Sequence, residues 1–209
     1  MPKRGRGDGG SGQHGSSGPH SVRQAETELG GKLDSGRSRP DGVEAQPEHL
    51  ITQSTGEPLG VPDGSPTRPD PHDDAETKRS IRRENDVAVV LAGKGFRLKQ
   101  NPSPLEVAEA RRLSGDIGDP SRKPDYLVEG RVFDCYSPTP AKPARGVWTE
   151  VEDKVKKGQT QRVVVDLAGW AGDMSALRKQ FVDWPIQGLK EVKALMPDGN
   201  LVQITLPYP

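Results

Sequence analysis

The sequence predicts an α/β (α+β) fold, a mixed central sheet flanked by helices and preceded by a disordered N-terminal tail. Three observations predict it. Beyond residue 73, stretches of helical period alternate with short apolar strands, the pattern of an α/β core. Residues 162–167, Arg-Val-Val-Val-Asp-Leu, are almost continuously apolar, as a strand covered on both faces should be. Residues 1–73 are rich in Gly, Ser, Pro, Asp and His and carry neither period beyond the isolated run His49-Leu50-Ile51-Thr52. Such a segment cannot bury enough apolar surface to offset the entropy of ordering it, so it is expected to be disordered.

The folded domain is expected over 74–209. Asp73 or Asp74 can cap a helix that runs to Ala92 and stops at Gly93. Residues 95–100 alternate apolar and polar side chains and end at Asn101-Pro102, a half-buried strand. Residues 105–113 read as a short amphipathic helix, and 114–124 as a loop. Tyr126-Leu127-Val128 and residues 131–136 are two strands separated by Glu129-Gly130, the length of a tight hairpin turn. Residues 147–157 form a helix that stops at Gly158, residues 162–167 the central strand, and 175–182 a further helix. Strands at 191–196 and 201–206, joined through Pro197-Asp198-Gly199-Asn200, complete the order α, β, α, β, β, α, β, α, β, β.

Composition narrows the function. With 25 Gly, 20 Pro and 31% hydrophobic residues, the chain is too polar for a uniformly packed globule. It has no apolar run long enough to span a bilayer, and its first residues, Met1-Pro2-Lys3-Arg4, lack the apolar stretch of a signal peptide, so a soluble chain is expected. One cysteine, Cys135, excludes an internal disulfide framework, and with four scattered histidines it offers no zinc site. Any metal must be held by carboxylates. The formal charge of +0 splits into 8 Lys/Arg against 11 Asp/Glu over 1–73, and 22 against 19 over 74–209, too even to assign a nucleic-acid partner.

The hairpin carries the sharpest inference. A two-residue Glu129-Gly130 turn sets Val128 opposite Arg131, Leu127 opposite Val132, Tyr126 opposite Phe133 and Asp125 opposite Asp134. Directly opposed residues have Cβ atoms about 5 Å apart, where two like charges are destabilising unless compensated. A divalent cation, Mg2+ above all, is the natural compensation, because it takes one or two carboxylates and leaves the rest of its shell to water and phosphate. Taken singly, Pro124-Asp125 is also an ordinary turn signal, and a one-residue slip in register would separate the pair.

Helical geometry adds two residues. At roughly 100° per residue, Glu84 falls inside the apolar stripe of Ile81, Ala88, Leu91 and Ala92, with Arg82 and Arg83 outside it. Lys154 falls inside the stripe of Val147, Val151 and Val155, while Lys156 points away and Lys157 flanks it. Either side chain could instead snorkel to water. Glu84, Asp125 and Asp134 as metal ligands, with Lys154 positioning the nucleophile or stabilising charge on phosphorane oxygens, make a metal-assisted hydrolysis site.

At these residues a resemblance emerges, covering most of 80–167. Glu84-Asn85-Asp86, residues 95–102, Lys123-Pro124-Asp125-Tyr126, residues 130–138, Lys157-Gly158-Gln159 and residues 162–167 together resemble the C-terminal tRNA nuclease domain of CdiA contact-dependent growth inhibition toxins. The resemblance implies a PD-(D/E)XK-like nuclease fold, cleavage of tRNA with a divalent metal in interbacterial competition, delivery into a target cell, and neutralisation by a cognate immunity protein. It implies acidic site positions at Glu84, Asp125 and Asp134 and a lysine at Lys154. The chain departs from the generic pattern at Asp134-Cys135-Tyr136, which has no lysine where (D/E)-x-K would place one.

An RNA substrate would be held through its backbone by Arg131, Lys142, Arg145 and Lys157, and by stacking on Tyr136, which shares a strand face with Asp134. Trp148, Trp170 and Trp184 are expected in the core, and Cys135 is expected to pack as a small apolar side chain. Two other readings stay open: a DNase on the same scaffold, since nothing here reads a 2′-hydroxyl, and a catalytically inactive nuclease fold serving as a binding module.

Overall fold

Three of the four described helices begin where a side chain satisfies free N–H groups. In α1 (Ala75–Gly93), Asp74 Oδ1 accepts the Thr77 N–H at 2.6 Å. α2 (Pro104–Ser114) has a full capping box between Ser103 and Glu106, proline in its first turn and Gly115 left-handed at its end. α3 (Ala144–Lys156) begins a turn before the expected residue 147, because Pro143 is tolerated ahead of a first turn and Ala144 is a strong helix former. α4 (Met174–Asp183) is capped by Asp173, which accepts from Ser175 and Ala176.

The structure, a computed structural model, describes residues 51–205, so the expected tail over 1–50 and the last residue of the expected final strand, Leu206, lie outside the described residues. Seven strands form one mixed sheet in sequence order: β1 (Asp63–Gly64), β2 (Leu98–Gln100), β3 (Tyr126–Val128), β4 (Arg131–Tyr136), β5 (Arg162–Asp166), β6 (Glu191–Leu195) and β7 (Leu201–Thr205). β4, β5 and β6 are parallel, with α3 and α4 as their crossovers, and β2–β3, β3–β4 and β6–β7 are antiparallel. Both crossover helices pack on one face, over Val163, Val165, Val192 and Ala194. α1 covers the other face through Val87, Ala88 and Leu91, over Tyr126, Phe133 and Val164. β5 is buried along its whole length, as its apolar run requires.

The hairpin has the expected register, Val128 with Arg131, Leu127 with Val132 and Tyr126 with Phe133. Its turn is left-handed at both central residues, Glu129 (φ 50°) and Gly130 (φ 73°). Glutamate is an unusual occupant of that conformation, and it is held by its buried carboxylate, which accepts from the backbone and side chains of both Thr55 and Arg97.

Two expectations are corrected. Residues 51–73 are part of the fold: β1 adds a parallel edge strand beside β2, and any Cβ at Gly64 would collide with the Gln100 carbonyl. Three threonines tie this strap down, Thr52 to Glu191, Thr55 to Glu129 and Thr67 to Glu84, each donating its hydroxyl to the carboxylate. A segment held by such bonds, with Leu59 90% and Val61 84% exposed, carries no hydrophobic period to read. Trp184 is the second correction. Trp148 and Trp170 are buried, but Trp184, just past the end of α4, is 60% exposed beneath the Arg145 guanidinium.

Candidate active site

Alternation along β4 sends Phe133 and Cys135 into the core under α1, so Asp134 points to the opposite face, toward α3. There it is fully buried, and Lys154, one turn beyond Glu150 on α3, places its Nζ 2.5 Å from Asp134 Oδ1. The other oxygen, Oδ2, is buried and takes no hydrogen bond. Asp125, just before β3, turns its carboxylate to the backbone of the neighbouring strand, where Oδ2 accepts the Cys135 N–H at 2.7 Å. The two aspartates are therefore adjacent, as the hairpin register requires.

Electrostatics follow from this crowding. Burial pushes the Asp125 carboxyl well above the usual range, and the charges of Asp134 and Glu84 push it the same way. Burial also raises the Glu84 carboxyl; a hydrogen bond from Thr67 Oγ1 at 2.7 Å draws it back, and the charge of Asp134 adds to the rise. Burial works to lower the Lys154 ammonium, but the carboxylates of Asp134 and Asp125 outweigh it and hold it above its ordinary value. Three carboxylates facing one ammonium leave an excess of negative charge in a sheltered place.

Among the described residues, no three His, Cys, Asp or Glu side chains converge closely enough to form a metal-ligand set. Asp125 and Asp134 pair, while Glu84 stands behind them within electrostatic reach, its carboxylate taken by the strap. The expected convergence of three carboxylate ligands is thus reduced to two. The free Oδ2 of Asp134 and the raised carboxyl of Asp125 fit a divalent cation bound through two aspartates, with water and phosphate filling its shell.

Of the residues expected to hold substrate, Tyr136 and Lys142 line a cleft of about 390 Å³ together with Thr77, Ser80, Ser137 and Glu150. Tyr136 is two residues from Asp134 on the same strand face and Glu150 is one turn from Lys154, so the cleft lies beside the elements that carry the pair, while Asp125, Asp134 and Lys154 themselves do not line it. The others lie apart. Arg131, on the strand face opposite Asp134, donates to Thr52. Lys157 is paired with Asp153 on the solvent side of α3. Arg145 stacks over Trp148, 4.0 Å from the ring centroid, on the side of α3 away from Lys154.

Three residues escaped the sequence. Asp166, buried at the end of β5, receives Arg83 in a two-pronged pair at 2.7 and 2.7 Å and the Ser137 hydroxyl at 3.1 Å, fixing α1 against the sheet next to Glu84. A charge inside the apolar run 162–167 was the available signal for it. Arg83 reaches inward from the flank of its helix, and Thr67 belongs to the strap.

Residues 122–201 match the family described as the contact-dependent growth inhibition CdiA C-terminal domain. Over 148 residues, 71% of this chain, the sequence is 35% identical to the tRNA nuclease CdiA-2 of Burkholderia pseudomallei (strain 1026b), of whose length that stretch is 4%. The fold is similar to a chain in the CdiA-CT/CdiI toxin and immunity complex from Burkholderia pseudomallei, with a TM-score of 0.57 and 35% identity over 69% of this chain and 98% of that one.

Proposed function

The chain belongs to the family of contact-dependent growth inhibition CdiA C-terminal domains, and we propose that it is a metal-dependent endoribonuclease of the PD-(D/E)XK kind that cleaves tRNA as an interbacterial toxin. The observation that carries the chemistry is the buried Asp134, gripped by Lys154 on one oxygen, free on the other and flanked by Asp125. The lysine comes from the helix after β4, filling from α3 the role that (D/E)-x-K gives to a strand residue.

Asp125 and Asp134 would hold the cation, Mg2+ being the expected ion, with Glu84 behind them. When bound, the ion supplies a water of lowered pKa and shields the phosphate charge. Lys154 keeps the Asp134 carboxylate in one orientation and presents an ammonium where negative charge builds on the phosphorane oxygens. Lys142 and Tyr136 offer a phosphate contact and a stacking face along the cleft. Arg131, Arg145 and Lys157, placed elsewhere, would serve at most the outer reaches of a large RNA.

tRNA as substrate is supported by the name of the Burkholderia relative, and a cognate immunity protein by the toxin and immunity complex to which the structural neighbour belongs. Delivery into a target cell belongs to the proposal too, because the chain spans 4% of that relative's length. The test is incubation of the full chain with total tRNA or duplex DNA, with Mg2+ or with EDTA, alongside Asp134→Ala. Metal-dependent cutting of tRNA alone, lost in the variant, is the expected result. Cutting of DNA would overturn the substrate, and cutting of neither would favour the binding-module reading.

A further inference from the structure

The proposed mechanism leaves unused a hydroxyl that reaches the Glu84 carboxylate. Thr67 Oγ1 donates to Glu84 Oε1 at 2.7 Å, from a strap otherwise tethered at positions remote from the site. Its direction is fixed by its neighbours. Asn101 Nδ2 donates to the Ser65 carbonyl at 2.7 Å, which sets the amide orientation, and the same Nδ2 donates to Thr67 Oγ1 at 3.0 Å. Asn101 Oδ1 also lies 3.3 Å from the Thr67 hydroxyl, but the 2.7 Å contact to a carboxylate is shorter and charge-assisted, so the proton goes to Glu84.

The backbone of Thr67 is clamped just as specifically. Asn85, next to Glu84, accepts the Thr67 N–H at 3.0 Å on Oδ1 and donates through Nδ2 to the Thr67 carbonyl at 2.9 Å. Gln100 Nε2 donates to the same Oδ1 at 3.0 Å, so the Asn85 amide cannot turn. Two consecutive residues of α1 thus divide the work: Asn85 locates the strap, and Glu84 receives its hydroxyl. One oxygen of that carboxylate is thereby held in place, within electrostatic reach of the aspartate pair.

We infer that Thr67 is a positioning residue for Glu84, aiming its carboxylate at the Asp125–Asp134 pair, an inference that rests on the nuclease reading above. Partners of metal-ligating groups contribute tenfold to a hundredfold in metal affinity or activity, and because Glu84 stands behind the two aspartates, Thr67 belongs at the lower end of that range, about tenfold. Thr55 gives an internal control, because it makes the same kind of hydroxyl-to-glutamate bond, to Glu129 at 2.6 Å in the hairpin turn, without touching any site residue.

The experiment compares full-length wild type, Thr67→Val, Thr67→Ser and Thr55→Val in RNA cleavage and in Mn2+ binding by calorimetry. Thr67→Val should lower kcat and Mn2+ affinity by about tenfold with KM for RNA unchanged, and Thr67→Ser should restore both. Thr55→Val should leave cleavage at the wild-type rate. Equal losses in Thr55→Val and Thr67→Val would reduce the strap to a structural tie and overturn the inference, as would a Thr67→Val protein that binds Mn2+ and cuts like wild type. If the wild type cuts no RNA, the nuclease reading fails by itself and the Mn2+ affinities alone decide the role of Thr67. Should Thr67→Val not fold, Thr67→Ala takes its place.

Discussion

The Nζ of Lys154 lies 2.5 Å from Oδ1 of Asp134, joining the third turn of α3 to a strand residue with no exposed surface. Twenty residues separate the two in sequence, and the whole β4–α3 connection is closed by this bond. Removing one partner of a buried pair leaves the other uncompensated. Lys154→Met should therefore destabilise the fold by about 3 kcal/mol, and adding Asp134→Asn should recover part of that loss. Urea denaturation of the two single variants and the double variant measures this coupling. Strict additivity would mean that the two groups do not interact.

Arg83 and Arg82 provide a matched contrast on one helix. Arg83 holds the buried Asp166 through two bonds at 2.7 and 2.7 Å, whereas exposed Arg82 reaches only the Lys78 carbonyl. Arg83→Met is expected to cost about 2 kcal/mol and Arg82→Met less than about 0.5 kcal/mol. Thermal melts of the pair would decide the matter, and equal shifts would show that Asp166 is not held by Arg83.

The turn that sets Asp125 against Asp134 depends on Gly130, at φ 73° with open space where a Cβ would stand. Gly130→Ala then suffers only the conformational penalty of a left-handed residue, about 1 kcal/mol, with cleavage preserved because the register is unchanged. A collapse of activity at intact stability would point to a second role for that turn.

How much of this was legible beforehand varied with the physics. Every element from α1 to β7 was visible through periodicity, and the aspartate pair followed from the two-residue turn because register in a hairpin is a counting problem. Glu84 and Lys154 were legible as charged residues within apolar stripes. The strap was not, since Thr52, Thr55 and Thr67 act by hydrogen bonds across 139, 74 and 17 residues, and no local pattern records them. Arg131 was misplaced for a related reason: its proximity to Asp134 in sequence concealed that it points to the other face and meets Thr52.

Acid should expose the anchor of α2. The hydrogen bond from Lys99, followed by those from Ser103, holds the Glu106 carboxyl at about 2 instead of 4.5. A depressed carboxyl lends stability that is complete above its unfolded value and disappears as pH falls through the folded one. Wild type should accordingly lose stability between pH 4.5 and about 2, and Glu106→Gln should show a shallower decline over that window. Parallel curves in chemical denaturation would remove Glu106 from the account.

Asp125 should behave in the opposite sense. Burial and then the Asp134 charge raise its carboxyl, so its contribution to the metal-free fold is greatest below the ordinary value of 3.8 and is lost as pH climbs through the raised one. Under the proposed metal site, Mg2+ binding should expel a proton at any pH below the raised Asp125 value. Calorimetry in two buffers of different ionisation enthalpy should register that release, and it should vanish in Asp125→Asn.

The strap is held unevenly along its length, firmly at the buried Thr52 and only by a short edge strand and side-chain bonds near Thr67. Asp134 belongs to a six-residue strand in the middle of the sheet, among the last regions expected to open in hydrogen exchange, whereas Thr67 follows a two-residue edge strand that can detach while the core stays intact. Glu84 sits at the junction of these two regimes. A brief excursion of residues 63–67 would release its carboxylate while the Thr52–Glu191 and Thr55–Glu129 ties stay made, so heating should lower cleavage several degrees before the sheet melts.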